Sequence, residues 1–136
     1  MIKTSKQIET DFYRFLLPIE EVINGKVYRD GLRPRNSAKE DAVVIFTTGL
    51  SEQVQTGIIT INVFVPDLPN PDKNCGVWVE NGLRCQAIEE WLQNWIVTNN
   101  FNNYFVTLTN TIHTQKDYDS INQHFVVCQI KYKYFD

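Results

Sequence analysis

Apolar residues recur along 83–97, LRCQAIEEWLQNWIV, at Leu83, Ala87, Ile88, Trp91, Leu92, Trp95 and Ile96. This is the spacing of one stripe on a helix with about 3.6 residues per turn. Arg84, Gln86, Glu89, Glu90, Gln93 and Asn94 occupy the opposite side. Burying each large apolar side chain is worth about 1.5–3 kcal/mol, so such a helix calls for a flat apolar partner. A sheet is the natural one.

The rest of the chain supplies that sheet. Thr4 and Gln7 have capping-box spacing just before Ile8, Phe12, Phe15 and Leu16, which predicts a helix over 5–17. Pro18 stops it, or opens a short second helix reaching Glu21. Asn24-Gly25 reads as a turn, 26–32 as a short strand, and 33–37 as a loop, because an arginine before proline is pushed out of helical geometry. The apolar AVVIF within 41–48 reads as a central strand ended by Gly49. In 53–65, Ile59, Ile61, Val63 and Val65 alternate with Thr60, Asn62 and Phe64, giving one wholly aliphatic face on which the 83–97 helix is expected to lie. Gly57 predicts a bulge or bend in that strand.

Residues 66–81 hold three of the five prolines and no periodicity beyond a short VWV, so they are expected to form a loop or extended arm. A strand is predicted over 104–112 and a polar segment over 113–121. A half-exposed strand follows over 124–134, with Val126, Cys128, Ile130, Tyr132 and Tyr134 on one side, hairpinned to its predecessor. The fold class is therefore α+β: one domain over 1–136, a largely antiparallel sheet of four or five strands, and the order α-β-β-β-(arm)-α-β-β.

Composition narrows the classes. A chain of 136 residues with 43% hydrophobic and 12% aromatic content has enough material for one core without disulfides or metals. A net charge of -3 argues against an extended nucleic-acid or anionic-membrane surface. The longest apolar runs are short and the first ten residues polar, so neither a transmembrane helix nor a secretory signal is expected, and a cytosolic chain is. Cys75, Cys85 and Cys128 lack CxxC spacing and are expected to be free thiols.

Chemistry is sparse. No glycine pattern matches a phosphate loop, and no Cys or His pair has the tight spacing of structural zinc. Cys85 in the first turn of a helix, approached by His113 or His124, has the elements of a nucleophile pair but no local signature, and a structural thiol is the expectation. Adjacent Glu89 and Glu90 point about 100° apart and do not converge. Asp117 and Asp119 are too few oxygen ligands for calcium. Arg29, Arg33, Arg35 and Lys39 concentrate positive charge around a loop, where arginine is free to grip a carboxylate or phosphate.

In the order and texture of these elements the chain resembles the tail terminator, or tail-completion, proteins of long-tailed bacteriophages and prophages. The resemblance is carried by the N-terminal helix, AVVIFTTG, QVQTGIITINVFVPD, the RCQAIEEWLQNWIV helix and a closing hairpin ending HFVVCQIKYKY, nearly the whole chain. It implies a structural protein, not an enzyme, that forms a ring at the head-proximal end of the tail tube. Such a ring stops polymerisation and faces the head connector. The implied partners are further copies of itself, tail-tube proteins and connector proteins. It implies no cofactor, no nucleic-acid specificity and no membrane, in the bacterial cytoplasm and the virion. Ring contacts are head-to-tail, and aromatics and arginines are enriched at interface centres. The expected interface residues are therefore Arg29, Arg33, Arg35, Trp78 and Tyr134, with the 66–81 arm. Two other classes stay open: a small hydrolase or transferase using Cys85 with a histidine, and a peptide- or ligand-binding module lined by Tyr132, Tyr134 and Trp78.

Overall fold

The computed structural model describes residues 2–69, 78–119 and 122–135. Helix α1 spans Ser5–Leu16 and starts with the capping box: Gln7 N donates to Thr4 Oγ1 at 3.3 Å, and Thr4 N donates to Gln7 Oε1 at 2.9 Å. A 3-10 turn, Leu17–Glu21, follows with Pro18 in its first turn, where the missing N–H matters least. Strands β1 (Val27–Arg29), β2 (Ala42–Leu50) and β3 (Gln55–Pro66) come next. A two-stranded ribbon then pairs β4, Leu68–Pro69, with β5, Trp78–Val79. Helix α2, Gly82–Thr98, precedes β6 (Tyr104–Leu108), β7 (His113–Lys116) and β8 (Gln123–Tyr134).

The main sheet runs β1-β2-β3-β8-β6, with β7 also on β8, and every pairing is antiparallel except β1 with β2. The fold is α+β as read from the sequence, with six strands in this sheet in place of four or five. The polar segment 113–121 contributes β7, which with β6 forms one interrupted edge along β8. Strand β8 is consequently interior, between β3 and that edge. Its alternation reflects the sheet having one covered face and one open face, a pattern that does not distinguish an edge strand from an interior one.

Both helices lie on the same face. Ile59, Ile61, Val63 and Val65 of β3 are all buried and join Val126, Cys128 and Ile130 of β8 in the core, where α1 brings Ile8, Phe12 and Leu16, and α2 brings Cys85, Ile88, Leu92 and Trp95. The α2 stripe is thus 85-88-92-95, not one that begins at Leu83. Two residues along a helix rotate the side chain by about 200°, so when Cys85 faces in, Leu83 faces out. Trp95 Nε1 donates to Phe15 O at 3.0 Å and ties the helices together. Phe12, Phe15, Trp95, Phe101 and Tyr104 make edge-on ring contacts at 4.9–5.5 Å that fill the junction.

The expected irregularity at Gly57 falls on the neighbouring strand. The register of β2 shifts between Phe46 and Thr48, opposite Ile59 and Ile58. Gly57 itself makes room: a Cβ there would stand 2.3 Å from Thr48 O and 2.5 Å from the hydroxyl oxygen of Tyr132, whose ring lies over the strand. Overpacking of this kind costs about 1–3 kcal/mol. Gly57→Ala should therefore lower unfolding free energy by at least about 1 kcal/mol in urea titration. Adding Tyr132→Phe should not restore it, because the Thr48 carbonyl remains in the way.

Candidate functional site

The end of the sheet where β3 leaves and β8 enters gathers several chain segments. Two adjoining depressions lie there, of about 550 Å³ and 520 Å³. They share Asn36, Ser37, Asp119 and Gln123. The first is floored on the open sheet face by Phe64 and Phe125, cross-strand partners with ring centroids 5.5 Å apart. The second is walled by Pro66, Asp67 and Trp78. Arg35 lines the first depression and is exposed.

What holds this end together begins at the start of β2. Gly25 N donates to Glu40 O at 2.9 Å, and Lys26 N donates to Asp41 Oδ1 at 3.1 Å. So close an approach requires glycine, since a Cβ on Gly25 would fall 2.0 Å from Asp41 Oδ1. The other Asp41 oxygen accepts from Arg33 Nε at 3.0 Å and from the Ser37 hydroxyl. Arg33 also donates to Ser37 O and Gln123 Oε1, and its guanidinium lies 4.0 Å from the centre of the Phe64 ring. Gln123 in turn donates to Asp117 Oδ2 at 2.7 Å. Loop 33–37 is thereby clamped over the open face at Phe64. His124 Nδ1 and Asp67 Oδ1, 2.7 Å apart, join β8 to the entry of the ribbon.

Of the five residues expected at an interface, the structure brings Arg33, Arg35 and Trp78 to this end. Arg33 is correctable to a positioning residue: Asp41 beneath it is 1% exposed and occupies its guanidinium. Arg29 is likewise engaged, its Nε 3.3 Å from buried Glu9 of α1, because β1 directs it toward the helix layer. Tyr134 lies at the opposite end of β8 and is 8% exposed. It packs on Tyr104 under Lys3, because its face of β8 is the one the helices cover. For the same reason Tyr132 is buried, and Tyr132, Tyr134 and Trp78 form no common pocket. The arm is partly regular: Pro66 belongs to β3, Asn81 caps α2 by accepting from Arg84 N, and residues 70–77, Cys75 among them, lie outside the described residues.

Sequence reasoning missed Phe64, Phe125, Asn62 and Gln123. Phe64 and Phe125 were legible as aromatics on the polar side of alternating strands, a signal passed over in favour of the aliphatic side. Asn62 Oδ1 is buried on the open face with no hydrogen-bond partner, between its cross-strand neighbours Val43 and Val127.

Cys85 is buried, and its thiol is pushed up to about 11, chiefly by desolvation and then by the charge of Glu80. A nucleophilic thiol needs the opposite shift. His113 bonds to Thr111 O and Gln115, and His124 to Asp67, so neither ring addresses Cys85. Burial pushes Cys128 up to about 12. Among the described residues no cluster of three metal-ligating side chains forms. No helix among them is long and apolar enough to cross a membrane.

Arg33→Ala should lower stability by about 3–5 kcal/mol in denaturant titration, because it strands a buried carboxylate, whereas Arg35→Ala should change it by no more than about 0.5 kcal/mol. Asn62→Val should raise stability by about 1 kcal/mol by removing an unsatisfied acceptor. The two buried thiols resist ionisation in the folded state. Their stabilisation is complete below the ordinary thiol value of 9.0 and is lost as pH rises toward about 11 to 12. Stability measured across that interval should fall, and less steeply in Cys85→Ala.

No family model and no curated protein matches this chain. Thirteen solved chains do match it in structure. One of them aligns over 99% of this chain and 98% of its own length, with a TM-score of 0.57 and 11% sequence identity. At that identity the likeness shows a shared fold.

Proposed function

We propose that this protein is a phage or prophage structural protein of the tail terminator kind, which works by self-assembly into a ring and by docking to the tail tube and head connector. The observation that carries the reading is the apolar surface around the ribbon: Leu68, Trp78, Val79 and Leu83 are 47%, 44%, 37% and 85% exposed. Four large apolar side chains in two short strands and the helix start beside them are held away from the core. Clustered apolar exposure of this sort marks interaction surfaces.

The neighbouring depressions add Arg35 as an exposed cation and a Phe64–Phe125 floor, the residue types that anchor interface centres. The segments that carry the family resemblance follow one another in the folded chain, with the ribbon β4–β5 before α2 and β7 inserted ahead of the closing strand. The chemistry is burial of surface between copies and against partners.

Light scattering over rising concentration, negative-stain microscopy and co-sedimentation with purified tail tubes test this reading. The expected result is concentration-dependent oligomers, rings and tube binding; a strict monomer with neither rings nor tube binding would overturn it. Leu68→Asp/Trp78→Asp should abolish tube binding while circular dichroism shows the chain still folded, since the two residues are 47% and 44% exposed and neither belongs to the core.

A further inference from the structure

A groove of about 830 Å³ lies between α2 and the break joining β6 to β7. Its apolar lining comes from Cys85, Leu108 and Ile112, and its charged groups are Glu80, Glu89 and Glu90, with no lysine or arginine among the lining residues. Thr114 donates to Glu89 at 2.6 Å across it and fixes β7 to α2. A preformed acidic groove with an apolar floor suits an occupant that is cationic and apolar together.

The same chain displays such a surface elsewhere. Lys131 and Lys133 alternate on the open face of β8, are exposed, and have no ion-pair partner among the described residues. Lys133 is flanked by Phe105, its partner on β6, and Lys131 by Ile58, its partner on β3. Phe105 is 57% exposed. Two lysines two residues apart on a strand are about 7 Å from each other, a spacing that lets both meet carboxylates on the rim of one groove.

The geometry points to a head-to-tail contact in which the Lys131–Lys133–Phe105 patch of one copy occupies the Glu80–Glu90 groove of the next, an inference that rests on the assembly reading above and names its contact. The two surfaces share no residue and lie on different faces, patch on the open sheet face and groove on the helix side. The contact is therefore heterologous, the type that repeats into a ring when the rotation closes. On the patch the two lysines of β8 lie between Ile58 on β3 and Phe105 on β6, so the lysines meet the glutamates while an apolar side chain on either side reaches Leu108 and Ile112.

A charge swap tests it, read by sedimentation velocity with circular dichroism as the folding control. K131E/K133E alone and E80K/E90K alone should each weaken self-association by about tenfold or more, because each juxtaposes like charges. Mixing the two variants, or combining all four substitutions in one chain, should restore association to within about threefold of the wild type, since with the copies alternating each substituted patch meets a substituted groove and each native patch a native groove, while Glu89 stays bonded to Thr114. Wild-type-like association of either folded variant, failure of the mixture and the fourfold variant to recover, or a strictly monomeric wild type would each overturn the inference. Tube binding by the wild-type chain in any of these cases leaves the assembly reading standing and this contact alone refuted.

Discussion

Glu40 and Asp41, adjacent at the start of β2 and both buried, are the constraint on which this end of the molecule depends. Their carboxylates serve different layers. Glu40 accepts two bonds from Arg84 at 2.7 and 2.8 Å, which fixes the first turn of α2 and raises the Arg84 pKa, while the same guanidinium donates to Val22 O. Asp41 takes Arg33 and so fixes loop 33–37 on the open face. Two neighbouring buried carboxylates are tolerable because each has its own arginine: Arg84 grips Glu40 with two N–H groups, and Arg33 gives Asp41 its Nε–H beside the Ser37 hydroxyl and Lys26 N–H. Helix docking and groove shape are therefore set from one dipeptide.

The second constraint is asymmetry of burial. Both helices cover one face of the sheet, and no layer of the described chain covers the other. The open face is not uniformly polar: Val43 and Val127 bury there on either side of Asn62, and Phe64 and Phe125 lie toward the loop end. At the other end Phe105 and two lysines stand in solvent. An antiparallel sheet commonly leaves one face to solvent; it is the aromatics on this one, together with the exposed ribbon, that support the assembly reading.

Candidate site residues were less legible than fold elements because charge in a sequence carries no information about its partner. The cluster Arg29, Arg33, Arg35, Lys39 looked like one basic surface. In the fold Arg29 turns to Glu9 and Arg33 to Asp41, while Arg35 and Lys39 stay exposed, so a run of like charges divides into two structural clamps and two surface groups. Both clamps depend on carboxylates 8 and 20 positions away. Tyr134 was misplaced for a related reason: its parity along β8 was right, and what buries it is Tyr104 of β6 and Lys3 ahead of α1, contacts with segments far away in the chain.

What the sequence determined by itself is what depends on near neighbours. The Thr4–Gln7 cap, the Pro18 turn, the extent of α2 and the alternation of β3 and β8 were legible because hydrogen bonds and side-chain periodicity within a few residues enforce them. Tertiary structure alone decided the interior place of β8, the inward rotation of α2 that exposes Leu83, the bulge on β2 instead of β3, and the pairing of polar residues 113–116 as a strand. Each of these is fixed by contacts between segments far apart in the chain, where packing and backbone hydrogen bonding outweigh local preference.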